Sequence, residues 1–153
     1  MAVRFEQGEA ARLRGALARI SRSLDRQTPQ EGLSPSAVWV LGTVNRLGPL
    51  GMGELAEFEG INPTMLSRIV AKLVDAGLVE RIAHERDGRA VRVRITEQGG
   101  TLLTRLREER TRLFTARLAE LPDEHAAQLL DALPALEALG LLMRRDIKPA
   151  DES

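Results

Sequence analysis

At 153 residues the chain suits one compact domain, or one small lobe with helical extensions. Its 43% hydrophobic and 29% charged content is that of an ordinary globular protein, and its formal net charge of zero means that overall basicity gives no argument for nucleic acid. Cysteine is absent, which excludes disulfides, thiolate metal sites and cysteine nucleophiles, and the two imidazoles, His84 and His125, lie far apart in the chain.

Leu and Ala dominate the apolar residues, a balance that favours helices. Residues 5–27 are read as an amphipathic helix, with Leu13, Leu17, Ile20 and Leu24 at steps of three and four. Thr28-Pro29 and Gly32 end it. Ser34-Pro35 starts a second helix, Ser as N-cap and Pro at the first helical position. Val38, Leu41, Val44 and Trp39 are its candidate core residues, and Gly48-Pro49 closes it. A lone Trp on such a helix is more often core than pocket lining, so Trp39 is expected inside. Residues 52–58 make a short helix, Glu59-Gly60-Ile61 a tight turn, and Asn62-Pro63 caps the next helix as Ser34-Pro35 does. That helix runs to about Ala76, with Gly77 as its stop and Leu66, Ile69, Val70 and Leu73 as its buried stripe.

Beyond Gly77 the period changes to two. Leu78–Ala83 is read as one strand and Val91–Ile95 as a second, joined by the polar tip Glu85-Arg86-Asp87-Gly88-Arg89. Thr96 caps a long helix with Glu97 in its first turn, built on Leu102, Leu103, Leu106, Leu113, Phe114 and Leu118. Pro122 opens a last helix carrying Leu129, Leu130, Leu133, Leu136, Leu139 and Leu142, and Pro134 inside it predicts a kink or break. No apolar run reaches the roughly 18 residues of a membrane span. Glu6 and Glu9 interrupt the Arg-rich start that a transit peptide would need, so a cytoplasmic location with no membrane partner is expected.

Positive charge collects in the middle of the chain. Residues 61–96 carry seven basic groups against four acidic ones, whereas residues 97–153 carry eight against eleven. Phosphate neutralisation needs local rather than net charge. Short helix, tight turn, capped helix and two-stranded hairpin, in that order, describe a helix-turn-helix followed by a wing. The expected fold is mainly α with a small β-hairpin wing (α+β). Thr64, Ser67, Arg68 and Lys72 lie on the side of the second helix opposite its apolar stripe. Small hydroxyls there permit close approach, and Arg68 can pair with guanine or phosphate. Asn62, Pro63, Thr64 and Met65 stand at the helix start, whose free backbone N–H groups (Pro63 has none) favour phosphate oxygens, and are DNA-binding candidates with it.

The stretch from Glu54-Leu55-Ala56 through Ser67-Arg68, Leu73, Gly77-Leu78-Val79-Glu80-Arg81, Asp87-Gly88-Arg89-Ala90 and Ile95-Thr96-Glu97-Gln98-Gly99 resembles the multiple-antibiotic-resistance regulator (MarR) family. The wing departs from that family's usual Asp-Arg-Arg-Ala by Gly88, which removes one DNA contact. The resemblance implies a homodimeric regulator, a repressor on a pseudo-palindromic operator in double-stranded DNA. Arg89 would enter the minor groove, oriented by Asp87, with Arg86 beside it and Ser67 and Arg68 in the major groove. It also implies a winged helix-turn-helix over 34–96 flanked by dimerisation helices over 1–30 and 97–148, with 149–153 as a tail. Phe5, Leu13, Leu17, Leu113, Leu129, Leu133 and Leu136 are the candidate dimerisation residues. Family members bind small anionic or phenolic effectors between the two lobes, and no residue of such a site is singled out here. No metal or cofactor is expected. The rival reading is a dimeric effector- or protein-binding module with degenerate DNA binding, motivated by Gly88 and the neutral charge. Catalysis is disfavoured because no paired acid and base, nucleophile or phosphate loop is present. Arg92 and Arg94 are expected on a solvated strand face close enough to assist with phosphates.

Overall fold

The computed structural model describes residues 4–86, 88 and 90–145. The element order is α1 (Gln7–Gln27), α2 (Pro35–Leu47), β1 (Leu50–Gly51), α3 (Met52–Glu59), α4 (Pro63–Asp75), β2 (Val79–Ala83), β3 (Val91–Ile95), α5 (Glu97–Leu118) and α6 (Asp123–Arg145). The mainly helical fold with a hairpin wing is therefore as the sequence led one to expect.

Three helices begin on the capping residues named above. Ser34 Oγ accepts the Ala37 N–H at 3.2 Å, Asn62 Oδ1 the Met65 N–H at 2.9 Å, and Thr96 Oγ1 the Gly99 N–H at 3.0 Å. Each satisfies one of the amide donors that a helix start leaves unpaired. The turn between α3 and α4 pivots on Gly60, whose φ of 61° is left-handed. A β-carbon there would be strained, which is why glycine ends α3.

The sheet has one strand more than expected. β1 is only two residues long and pairs antiparallel with β3, Leu50 opposite Val93, giving the order β1-β3-β2. β2 and β3 pair with Glu80 opposite Arg94 and Arg81 opposite Val93. A two-residue strand has no alternation to read, so its pairing becomes visible only once Val93 is in place.

One apolar core joins these elements. Val40, Leu41 and Val44 of α2, Leu55 of α3, Leu66, Val70 and Leu73 of α4, Val79 and Val93 of the sheet, and Leu102, Leu103 and Leu106 of α5 all belong to it. Burying each such side chain contributes about 1.5–3 kcal/mol. α1 packs mainly on α5 and buries no residue of its own, while α6 has no extensive contact with any other element.

Two expectations need correction. α6 continues through Pro134 without a break, because a proline removes one hydrogen bond where the surrounding turns still hold the helix. Trp39 is not core: it is 55% exposed, since Val40, Leu41 and Val44 already fill the buried side of α2. The expectation that no unbroken apolar run reaches about 18 residues stands, although the Asp123–Met143 stretch of α6, with a mean hydropathy of 1.4, is long and apolar enough by composition to cross a membrane. Asp131 and Glu137 interrupt any unbroken apolar run there, but they do not lower the average enough.

Candidate nucleic-acid interface

α4 is built to be held from one side and read from the other. Leu66, Val70 and Leu73 are fully buried and Ile69 nearly so. Asn62, Pro63, Thr64, Met65, Ser67, Arg68 and Lys72 are all exposed or at the helix's open edge. The helix thus places every major-groove candidate expected from sequence on its open face, beginning at its N-terminus. Four apolar anchors at the burial energy above hold the helix to the core from that side.

The turn that aims α4 is reinforced from α2. The Thr43 hydroxyl donates to a carboxylate oxygen of Glu59, the last residue of α3, and Thr43 itself is buried. Ile61 N–H then bonds back to Ala56 O at 3.1 Å, closing the turn. Sequence reasoning misses the Thr43–Glu59 pair, since nothing local marks two polar residues 16 positions apart as partners.

The wing is β2, β3 and the tip between them. His84 N–H donates to Ala90 O at 2.9 Å, and the Arg86 N–H donates to His84 Nδ1 at 3.1 Å, so the imidazole shapes the tip. Arg86 is exposed. Asp87 and Arg89, the two residues expected to enter the minor groove, lie outside the described residues. Arg94 is committed to Glu80 across the hairpin at 2.6 Å, and Arg92 approaches Glu54 at 4.0 Å. Both β3 arginines thus face acids on the protein, while Arg81 of β2, Arg86, Arg68 and Lys72 are exposed cations on the same winged segment.

Of the candidate dimerisation residues, Phe5, Leu17, Leu129 and Leu133 are exposed, and Leu13, Leu113 and Leu136 are half-buried. They belong to α5, α6 and the N-terminal helical segment, as the sequence implies. No group of His, Asp and Glu that could hold a metal occurs among the described residues.

A groove of about 220 Å³ lies between α2, α5 and the turn after α1. Trp39, Thr43 and Arg46 line it from α2, and Leu106, Arg107 and Arg110 line it from α5. Arg110 is paired with Asp25 of α1 at 2.8 Å. Arg46 and Arg107 have no acidic partner among the described residues. Gln30 also lines the groove; its Nε2 donates to Asp25 O at 3.0 Å, while its Oε1 is buried with no hydrogen-bond partner among the described residues. Sequence reasoning assigns no residue to this groove, yet a signal exists. Trp39, Gly42, Thr43 and Arg46 recur at steps of three, one and three, and Leu103, Leu106, Arg107 and Arg110 repeat that spacing on α5.

Comparison with known proteins agrees with this arrangement. The MarR family model matches residues 33–91. An uncharacterized HTH-type transcriptional regulator of Mycobacterium bovis, Mb0904, is 36% identical over 106 residues, covering 69% of this chain and 74% of its own. Wild-type MarR of E. coli in its apo form superposes with a TM-score of 0.68 at 19% identity, over 88% of this chain and 98% of that one. A point mutant of MepR from S. aureus, bound to an oligodeoxyribonucleotide, superposes with a TM-score of 0.63 at 15% identity, over 88% and 98%. By family model, relatives and winged-helix fold together, the chain belongs to the MarR family of DNA-binding transcriptional regulators and is not an enzyme.

Proposed function

We propose that the chain works as a homodimeric repressor that docks α4 of each copy in the major groove of a pseudo-palindromic operator. The observation that carries this reading is the division of α4, with Leu66, Ile69, Val70 and Leu73 buried and Thr64, Met65, Ser67 and Arg68 exposed. Two-fold symmetry would set the two helices about 34–36 Å apart, one turn of duplex. Arg89, oriented by Asp87, would reach the minor groove beside Arg86. The DNA-bound MepR mutant, of the same fold, supports a nucleic-acid partner. Occupancy of the operator would exclude the transcription machinery.

The second copy would cover the apolar surface of the terminal helices. Phe5, Leu17, Leu129 and Leu133 are between 42% and 70% exposed in one chain, more apolar surface than a soluble helix pair leaves open by chance. A protein partner suits α6 better than a bilayer, because Asp131 and Glu137 fall within the apolar stretch and each costs a few kcal/mol at bilayer depth. A soluble, cytoplasmic regulator follows from that reading.

The groove between α2 and α5 suits the effector. Its volume is near that of a cavity that holds one aromatic ring. Trp39 offers a ring face, and Arg46 and Arg107 offer charge to an anion. A ligand there would alter the tilt of the reading heads relative to the dimer helices and release DNA.

The test is a fluorescence-anisotropy titration of the operator with wild type, Arg68→Ala and Arg89→Ala, run at several salt concentrations. Both variants should bind more weakly, and log affinity should fall linearly with log salt as counterions are released. Equal affinity of both variants and wild type would overturn the assignment of contacts.

A further inference from the structure

The chemistry of α4's open face is unusually restricted, and it limits which bases that face can tell apart. Polar readers of adenine are amides, because an Asn or Gln side chain pairs with N6 and N7 together. Residues 63–75 contain neither. The one amide at the helix start, Asn62, already spends its Oδ1 on the Met65 N–H at 2.9 Å. Among the exposed residues of the first two turns, Arg68 is the only one with a fork that matches guanine O6 and N7. Thr64 and Ser67 carry hydroxyls, which accept several bases. Lys72 stands a further turn along and suits a phosphate as a point charge. Asp75 is exposed at the C-terminal end, the end that leaves the groove in this docking mode.

The remaining group is Met65. It is 49% exposed and is the one large apolar side chain that α4 keeps out of the core at its N-terminal end. A thioether makes no directional contact with a base edge, but it packs well against the thymine C5-methyl, the only apolar group in the major groove. Met65 and Arg68 are three positions apart, so they are neighbours on one helix face. Their separation along the axis is about 4.5 Å, against about 3.4 Å between successive base pairs. Side chains so spaced reach adjacent base pairs.

We infer that each half-site of the operator contains a G·C pair read by Arg68 directly beside a T·A pair whose thymine methyl packs on Met65. This rests on the proposed DNA-binding function and adds to it the identity of the bases. Selection from randomised duplex by the wild-type dimer should return this two-base word in both half-sites. Arg68→Ala should lose preference at the guanine, which locates that position within the selected sequence. Replacing the neighbouring thymine by deoxyuridine removes only the methyl. Wild type should then bind about fourfold more weakly, as expected for one buried methyl-sized group. Met65→Ala, at a half-exposed position outside the core cluster, should show the same affinity for both duplexes. A selected site whose guanine preference survives Arg68→Ala, or a wild-type affinity unmoved by deoxyuridine, overturns the inference while leaving DNA binding intact. If wild type enriches no sequence, the proposed function fails and the base code fails with it.

Discussion

Two adjacent glycines at the start of α5 should respond to alanine with opposite signs. At Gly99 a β-carbon would fall 2.0 Å from Leu78 O and 2.9 Å from Ile95 Cγ1. At Gly100 it would meet nothing within 4 Å. Alanine gains up to about 1 kcal/mol over glycine in a helix. At Gly99 that gain is set against overpacking on a backbone carbonyl, which cannot swing aside as a side chain can, and about 3 kcal/mol is a fair cost. Relief would require α5 to lift from the sheet. That movement would stretch the Thr96 N–H to Leu78 O bond at 3.1 Å and the Thr96 hydroxyl to Gly77 O bond at 2.6 Å. The net loss for Gly99→Ala is about 2 kcal/mol, or roughly 4–8 °C in Tm for a chain of this size. Gly100→Ala should instead raise Tm by about 2–4 °C. Thermal denaturation by circular dichroism at one fixed protomer concentration measures both, since the proposed dimer would make Tm concentration-dependent. A Gly99→Ala protein as stable as wild type would refute the close approach of α5 to the sheet on which the core rests.

Other outcomes follow from single contacts. Asn62→Ala removes the cap on the Met65 N–H and should cost about 1 kcal/mol in urea denaturation, with operator affinity falling as the first turn of α4 frays. Thr43→Val keeps the volume but leaves the Glu59 carboxylate without its donor, so stability should fall by about 1–2 kcal/mol, and a variant as stable as wild type would deny that contact any role. Leu133→Asp should shift sedimentation equilibrium towards monomer, while Leu130→Asp, off the stripe described below, should not; identical behaviour of the two would remove α6 from the interface. The hydrogen bond from Arg112 holds Glu109 below the ordinary carboxylate range. Its small support to α5 is therefore present above the ordinary carboxylate pKa and fades as pH falls through the lowered one. In an NMR titration Arg112→Ala should move Glu109 upwards, and an unmoved Glu109 would show that the pair does not form in solution.

What can be read from the sequence alone is local or periodic. Ser34, Asn62 and Thr96 are legible because a cap is decided within four residues, and Gly60 and Gly77 because a left-handed turn has one favoured residue. The open face of α4 is legible because its stripe of Leu66, Ile69, Val70 and Leu73 leaves the other residues no alternative. What escapes is set by tertiary partners. β1 depends on Val93, more than forty positions away. Thr43 and Glu59 meet only after α2 and α3 have packed. Residue type alone sends Trp39 to the core, whereas the pattern of Gly42, Thr43 and Arg46 around it describes a groove wall that needs Arg107 and Arg110 opposite to become one.

α6 shows how composition misleads when periodicity is ignored. Averaged over its length it is apolar enough for a bilayer, yet its side chains are not distributed as lipid would require. Ala126, Leu129, Leu133, Leu136, Gly140 and Met143 recur at alternating steps of three and four, the seven-residue repeat of a helix that packs along another helix. On a wheel of about 100° per residue Asp131 falls on the side away from this stripe, and Glu137 and Leu130 fall on its flank. Ala126, Ala132 and Leu136 are half-buried, but Leu129 and Leu133 remain 44% and 47% exposed in one chain. A bilayer would leave both carboxylates in hydrocarbon. A partner helix laid along the stripe would cover the leucines and leave Asp131 in water. Of the two surroundings only the second covers Leu129 and Leu133 while keeping Asp131 in water, and under the proposed dimer the second copy of this chain supplies it.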